Sequence, residues 1–250
     1  MSQYNEWERC PLAYQSKRLL GTPELPAAWT IQGTAVHSAV EAWELSGRAI
    51  TIHEAQQLYY TTYDALIAEQ RERFPRLSDW LRGGRKSTEA DITDRRELGA
   101  VQVREYILHS VQEGYEPVII NGEPAVELQV TLTEGDLSIV GYIDVLLRDG
   151  KGQLRIRDLK TGERPAWDIQ LYTYRWALLE TYQLDVRWGD YWLAKKTALT
   201  DPIDLGRSDR HELLCWYRQV DREIEQGHYR PRPGRHCFTC NVKHTCPWQA

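Results

Sequence analysis

Two apolar stretches in the second half of the chain predict a β-hairpin. Residues 137–147 and 154–160 are rich in β-branched and aliphatic side chains, and Gly150-Lys151-Gly152 supplies a turn between them. If the middle residue of that turn is its centre, antiparallel pairing places Asp144 opposite Asp158, with their Cα atoms about 4.5–5.5 Å apart. The hairpin is therefore expected to bring two carboxylates together.

The polar residues of this hairpin predict metal chemistry. Asp158 and Lys160 are two positions apart in a strand, so alternation puts both side chains on one face. Two adjacent carboxylates repel unless a cation lies between them, and hard oxygen ligands suit Mg²⁺ or Mn²⁺. The alternative is a surface hairpin with an ordinary Asp–Lys ion pair. Because both acids interrupt apolar strands, where an unpartnered charge is costly, the metal site is favoured.

Periodicity elsewhere predicts a mixed α/β fold. A short basic helix is expected at residues 16–20, and a helix opens at Gly33. Further helical patterns cover residues 52–80, 89–112, 166–182 and 209–226, and strand patterns cover residues 117–132 and 186–194. A basic loop at residues 81–87 fits a solvated connector and a polyanion contact equally well. The order of helix, three strands, helix and strand indicates a mixed sheet flanked by helices rather than a doubly wound sheet.

Two further residues are candidate ligands. His37 lies beside the apolar stripe of the first core helix, and Glu41 is its i,i+4 neighbour, so both can face one site. A lone helical histidine is more often a core or surface residue, which is the competing interpretation. Glu127 is solvent-facing by default, but it points towards Asp144 if its strand pairs with residues 137–147.

Composition limits the classes of function. The chain has 250 residues, of which 42% are hydrophobic, with ten Trp and fourteen Tyr. This length and composition indicate one domain with its own core and some additional segments rather than two independent folds. The net charge of −5 argues against a protein that binds nucleic acid over its whole surface. Any contact with nucleic acid would use local basic patches such as residues 82–86 and 230–235. No apolar run is long enough to span a bilayer, and the first residues lack a signal-peptide core. We therefore expect no membrane partner, a cytoplasmic location and reduced thiols.

Three of the five cysteines lie close together near the end of the chain, as Cys237-x2-Cys240-x5-Cys246. Such a loop needs a fourth ligand. Cys215 is expected mid-helix, where a cysteine usually behaves as a small apolar residue, so Cys10 is the better fourth thiol. The four thiolates are compatible with a [4Fe–4S] cluster or with Zn²⁺. A local zinc site that uses His244 is disfavoured, because it is only two residues from Cys246.

The assembled pattern resembles the RecB-like branch of the PD-(D/E)XK nuclease superfamily. The matching motifs are Gly33-x3-His37, Gly141-x2-Asp144, Asp158-x-Lys160-Thr161-Gly162 and Gln170-x3-Tyr174. The cysteine layout resembles the iron–sulfur members of that branch, which include the CRISPR-associated RecB-like nucleases and the AddB nuclease domain. The resemblance spans nearly the whole chain, although residues 52–112 match no recognised segment.

The resemblance implies a restriction-endonuclease-like fold with an α-β-β-β-α-β core. The chain is expected to form a single nuclease domain, residues 1–250. Its parts are an N-terminal segment with the first cysteine (residues 1–30), a first core helix (31–50), a helical insertion (51–114), the catalytic sheet with its helix (115–200), and a terminal helix with a cysteine-stapled tail (201–250).

The resemblance also implies roles for the site residues. His37, Asp144, Asp158 and the carbonyl of Leu159 would hold Mg²⁺ or Mn²⁺, and Lys160 would assist the attacking water. Gln170 and Tyr174 correspond to the family's helix residues beside the site, and Glu127 and Glu41 are accessory candidates. The cysteines Cys10, Cys237, Cys240 and Cys246 would hold the cluster.

The expected function is metal-dependent hydrolysis of DNA, as an exonuclease on single strands or DNA ends. The setting implied is recombination, repair or CRISPR spacer acquisition in a bacterial, archaeal or phage-infected cell, with a homo-oligomer or partner proteins from those processes left open. The rival interpretations are a non-catalytic DNA-binding or scaffold module stabilised by the metal-bound tail, and a zinc protein unrelated to nucleases.

Overall fold

The computed structural model describes residues 2–248 and has a mixed β-sheet between two layers of helices. Residue 1 and residues 249–250, the ends of the predicted domain, lie outside the described part. Within that part, the main sheet contains seven strands: β1 (Glu116–Pro117), β4 (Val126–Glu134), β5 (Leu137–Arg148), β6 (Leu154–Lys160), β7 (Trp188–Leu193), β8 (Ala198–Leu199) and β9 (Ile203–Asp204). The short strands β2 (Ile119–Ile120) and β3 (Glu123–Pro124) form a separate ribbon. The predicted mixed α/β fold class is confirmed.

Helices cover both faces of the sheet. Their bounds are α1 (Ser2–Arg9), α2 (Pro11–Tyr14), α3 (Ala28–Leu45), α4 (Ile52–Arg73), α5 (Thr88–Glu113), α6 (Ile169–Tyr182) and α7 (Arg210–Glu225). Buried residues of α3, α4 and α5 share one core with Leu159 and Trp192 of the sheet, whereas α6 and α7 pack with Ile156 and Tyr191. Residues next to each other in one strand thus face different helical layers, as strand alternation requires.

Strand pairing in the centre of the sheet determines where the two acids lie. Strand β5 pairs antiparallel with β6 in a register that sets Val145 opposite Arg157, and one step further this register sets Asp144 opposite Asp158. The chain turns at residues 149–153, where the Asp149 carboxylate accepts the backbone N–H groups of Lys151 and Gln153. Strand β6 then pairs parallel with β7, and α6 forms the crossover between them. The register agrees with the one predicted from the turn.

The alternation of buried side chains breaks in the middle of β4 and β5. Ile143 and Leu146 pack in the same core, although residues of odd and even number point to opposite faces of a regular strand. Across from Asp144, Glu127 has a φ of 47°, a left-handed conformation that a residue with a side chain rarely adopts. The ladder pairs Val126 and Leu128 but leaves Glu127 unpaired. This break is where the candidate site lies.

Several element boundaries differ from the prediction. The predicted strand at residues 117–132 is divided, because Pro117 and Pro124 lack the N–H that a ladder needs and Asn121-Gly122 turns the chain. A helix at Ser2–Arg9 was not expected, and Gln15–Leu19 forms a π-helical turn instead of a helix at residues 16–20. Strands β8 and β9 replace a loop, since their pairing with β7 depends on contacts that local pattern does not encode.

Gly33 allows α3 to approach the sheet closely. A Cβ atom at this position would lie 2.8 Å from Oγ1 of Thr161, a separation that real Cβ atoms essentially never show. Thr161 directly follows β6, so the contact joins α3 to the end of the strand that carries Asp158 and Lys160. The small residue therefore brings the helix of His37 against the hairpin.

Candidate active site

Three potential ligands from three elements meet at the break in the sheet. His37 of α3, Glu127 of β4 and Asp144 of β5 each offer one ligand atom, and these atoms all lie within 4.8 Å of one another. They line a small cavity of about 10 Å³ together with Glu41 and Leu159. A cavity of about 10–15 Å³ holds one water-sized occupant, so the space is suited to a single ion.

Asp144 and His37 are oriented by the peptide groups of Leu159. The backbone N–H of Leu159 donates to Oδ2 of Asp144 at 2.5 Å, and Nδ1 of His37 lies 3.9 Å from Oδ1 of the same carboxylate. Burial lowers the pKa of His37, and a hydrogen bond to the backbone of Leu159 opposes this shift only in part. A neutral imidazole is the form that binds a metal.

Asp158 belongs to a second row of contacting side chains beside the three ligands. It is buried, and its Oδ2 lies 2.5 Å from Nζ of Lys160. Nζ also donates to Oε1 of Gln170 at 3.0 Å, and Nε2 of Gln170 donates to the hydroxyl of Tyr174 at 2.8 Å. Burial, followed by the charge of Asp158, raises the pKa of Tyr174, so this hydroxyl stays protonated. The row holds the lysine ammonium group in a defined position.

The carboxyl groups are crowded enough to disfavour their ionised forms. Burial, followed by the charge of Asp158, raises the pKa of Asp144 well above its usual value. Burial and the neighbouring Glu41 raise the pKa of Glu127. If Asp144, Asp158 and Glu127 are ionised and Lys160 is protonated, their formal charges sum to −2. A divalent cation would balance this charge.

The donor set fits Mg²⁺ or Mn²⁺. Both carboxylate oxygens of Asp158 are buried without a hydrogen-bond donor, since the contact with Lys160 lacks hydrogen-bonding geometry. Unsatisfied carboxylate oxygens and a neutral imidazole are ligands that such cations accept. The sequence predicted His37, Asp144 and Asp158 as side-chain ligands. In the structure the close group contains Glu127 instead of Asp158, and the register of β4 with β5 sets Glu127 across from Asp144.

A buried ion cluster that the sequence analysis missed lies behind β6. The guanidinium of Arg157 donates to Asp190 of β7 at 2.8 and 3.0 Å, and to Glu113 of α5 at 2.7 and 3.0 Å. Arg157 and Asp190 are almost fully buried. The cluster joins the strand of Asp158 to its neighbours, and the signal for it was a charged residue in each of two apolar strands.

The four predicted cluster cysteines line one cavity but are not positioned as a formed cluster. Cys10, Cys237, Cys240 and Cys246 all border a space of about 210 Å³ between the N-terminal helices and the tail. Among the described residues, no three thiols lie within 4.8 Å of one another. Zn–S bonds of about 2.3 Å require tetrahedral Sγ atoms only about 3.8 Å apart. The four cysteines therefore border one space without forming a close group of metal ligands.

Cys215 is not the small buried residue that its place in a helix suggested. It is exposed on α7, and its Sγ lies 3.5 Å from Nε2 of His211, one turn earlier. It remains apart from the cavity of the other four cysteines.

Comparisons with known proteins agree with this architecture. A family model described as the PD-(D/E)XK nuclease superfamily matches residues 1–247. The Gene 69 protein of Mycobacterium phage D29 is 33% identical over 258 residues, covering 99% of this chain and 95% of that protein. The Gene 69 protein of Mycobacterium phage L5 is 30% identical over 276 residues, with the same two coverages.

One solved structure, described as the crystal structure of SSO0001, is 19% identical with a TM-score of 0.36, covering 63% of this chain and 79% of that one. This likeness is too slight to bear on the fold. No helix among the described residues is long and apolar enough to cross a bilayer.

Proposed function

Because the chain belongs to the PD-(D/E)XK nuclease superfamily, we propose that it is a Mg²⁺- or Mn²⁺-dependent deoxyribonuclease that hydrolyses phosphodiester bonds beside Asp144 and Asp158. The observation that carries the proposal is the convergence of His37, Glu127 and Asp144 within 4.8 Å, next to the Asp158–Lys160 pair. Residues 1–250 are proposed to act as one nuclease domain.

In this proposal His37, Glu127 and Asp144 would hold the cation, and Asp158 and the Leu159 carbonyl would be further ligands. A bound divalent cation lowers the pKa of a coordinated water and neutralises charge on the phosphate. Lys160 lies on the same face as Asp158 and orients the attacking water while it offsets charge that develops on the phosphate oxygens. Oε1 of Gln170 accepts a hydrogen bond from Nζ of Lys160 and so holds the ammonium group towards the reacting atoms.

The proposed substrate is single-stranded DNA or a DNA end, cleaved as an exonuclease. The chain's net charge of −5 opposes broad contact with duplex backbone, which favours a strand held in a cleft. Because both relatives are phage proteins, we propose that the activity operates in an infected host cell. A role in phage DNA recombination or repair is part of this proposal. CRISPR spacer acquisition has no support in these relatives.

We also propose that the cysteine cavity holds a [4Fe–4S] cluster. The cavity joins residues from both ends of the chain, and the thiols approach it from two sides. Closing so long a loop would stabilise the fold. Anaerobic purification should give a brown protein that absorbs near ~400 nm, whereas a colourless protein that contains zinc would refute the cluster.

The test of the nuclease is a metal-dependence assay on single- and double-stranded DNA labelled at either end. The wild-type protein should release short products in Mn²⁺ and none in EDTA. Asp158→Asn and Lys160→Ala should abolish cleavage, and Lys151→Ala, which alters a lysine in the turn of the same hairpin, should leave it intact. Full cleavage by either site variant would refute the mechanism.

The alternative to the nuclease is a non-catalytic DNA-binding or scaffold module stabilised by a metal-bound tail. It predicts DNA binding that EDTA does not change, with no hydrolysis of any labelled substrate by the wild-type protein.

A further inference from the structure

A second, larger cavity lies next to the candidate active site along α3. It has a volume of about 570 Å³ and is enclosed by the 21–27 loop, α3, α4 and two residues of the cysteine-bearing tail. Pockets of roughly 300–1,000 Å³ accommodate small ligands. A volume in this range suits one nucleotide and is far too small for a base pair with its two backbones.

One stripe of α3 forms a wall of both cavities. Thr30 and Thr34 line the large cavity, whereas His37 and Glu41 line the small one. These four residues follow one another at spacings of four, three and four, so they share one face of the helix. The two cavities are therefore neighbours along that face. Thr30 lies about 10 Å from His37 along the helix axis, at 1.5 Å per residue.

The lining has separate parts suited to a base and to a phosphate. Trp29, Leu66 and Leu81 supply apolar surface, on which a base can stack or pack. Arg9, Lys17 and Arg73 supply cationic groups, and Glu24 is the one acidic residue in the lining.

These cationic side chains differ in how closely they are already paired with other groups of the protein. Lys17 is paired with Glu24 at 3.1 Å, and Arg9 donates to Oγ1 of Thr239 in the tail at 3.2 Å. The side chain of Arg73 is 57% exposed and makes a loose ion pair with Glu69 at 3.9 Å. Arg73 is therefore the cation best placed to receive a phosphate.

We infer that this cavity binds one unpaired nucleotide of the substrate strand, within about three nucleotides of the bond that is cleaved, since a stacked strand advances 3.4 Å per nucleotide. The inference rests on the proposed nuclease function, to which it adds a subsite for single-stranded DNA. It also gives the tail a role, because residues 239 and 241 form part of the wall. If the cysteine-bearing tail lost its structure, binding of the DNA strand would change although the metal ligands are not part of the tail.

The test measures binding separately from cleavage. Affinities of dT2, dT4 and dT6 are measured by competition in Mg²⁺ with Asp158→Asn as the uncleaving parent. Lengthening the strand from dT2 to dT6 should tighten binding by about tenfold, which is the scale of one stacked base. Thr30→Trp places a bulky ring at the exposed wall of the cavity and should remove most of that gain, while dT2 binds as before.

Arg73→Glu is a second test variant, and each of the two test variants has a matched control. Thr93→Trp changes another exposed helical threonine, whose hydroxyl is bonded within its own helix on α5, outside the cavity. Arg73→Glu should weaken dT6 binding and lower its salt dependence by about one phosphate contact. Arg71→Glu, two residues away on α4 and outside the lining, should have little effect.

The increase in affinity from dT2 to dT6 decides the outcome. If Thr30→Trp and Arg73→Glu keep the full gain of the parent, the subsite is refuted, whatever the nuclease assay gives. If they lose it and the wild-type protein still fails to cleave DNA in Mn²⁺, the subsite stands and the proposed nuclease function falls.

Discussion

Removing the divalent cation should destabilise the folded protein, because the site gathers more negative than positive charge. Asp144, Asp158 and Glu127 lie close together with Lys160 as the compensating cation, which leaves a formal charge of −2 when all four are ionised. Burial already raises the pKa of Asp144 and Glu127, so their ionised forms are unfavourable in the metal-free fold. Binding of Mg²⁺ or Mn²⁺ relieves this repulsion in the folded state and has no equivalent in the unfolded chain.

Mass action gives the magnitude. At a metal concentration 100 times the dissociation constant, binding to the folded state alone adds about 2.7 kcal/mol to the free energy of unfolding. A domain of 150–250 residues gains about 2–4 °C in Tm per kcal/mol, so the expected rise is about 5–11 °C.

The assay is thermal unfolding in EDTA and in increasing Mg²⁺. Asp144→Asn keeps an oxygen that can accept the N–H of Leu159 but removes one charge, so its Tm in EDTA should exceed that of the wild type and its rise with Mg²⁺ should be much smaller. Asp136→Asn alters an exposed carboxylate between β4 and β5 that accepts a hydrogen bond from Arg218 of α7, and the rise in Tm of this variant should equal that of the wild type. An equal rise in Asp144→Asn would refute the assignment and place the metal effect elsewhere, for example at the cysteines.

Three further predictions concern the same site. In EDTA, the raised pKa of Asp144 makes the folded protein bind a proton more tightly than the unfolded chain, so this contribution to wild-type stability falls as the pH rises. The Tm advantage of Asp144→Asn should therefore grow as the pH rises above the usual carboxyl pKa of about 3.9, and a constant advantage would contradict it. Glu127→Gly relieves a left-handed residue and should stabilise the metal-free protein against urea by about 1 kcal/mol or less while weakening Mg²⁺ affinity; unchanged affinity would exclude Glu127 as a ligand. Gln170→Leu removes the acceptor that aims Lys160 and should lower kcat by up to about 100-fold with KM unchanged, whereas Gln170→Glu should retain more activity; equal kcat in Gln170→Leu and the wild type would contradict the positioning role.

The hairpin of the site was predictable because its register depends on local chemistry. The turn at Gly150-Lys151-Gly152 and the apolar strands around it determine which residues face each other, and Asp144 and Asp158 follow from that register. The hairpin forms between neighbouring segments of the chain, so its register needs few long-range contacts.

The position of Glu127 next to Asp144 was expected if its strand paired with residues 137–147, but its left-handed backbone was not predictable from the pattern. Alternation assigns each strand residue to one face, and it predicts neither the left-handed backbone at residue 127 nor the core that Ile143 and Leu146 of β5 share. The same limit applies to the cluster of Arg157 with Asp190 and Glu113. Its members come from three elements, and only the assembled sheet brings them together.

The tail shows a different limit. Cysteine spacing predicted that Cys237, Cys240 and Cys246 share one loop, but spacing carries no information on how closely the thiols converge. Residues 239 and 241 also border the cavity proposed to bind a nucleotide, a connection that depends on the packing of the tail against the 21–27 loop. Leu25 and Asn241 make the backbone hydrogen bond that joins these two segments.

The most direct test of the central claim is an anomalous-scattering map from crystals grown with Mn²⁺. The account predicts a strong manganese peak between His37, Glu127 and Asp144, at ligand distances of about 2.0–2.3 Å. A manganese-soaked crystal with no peak at this position, or with peaks only at the cysteine cavity, would contradict it.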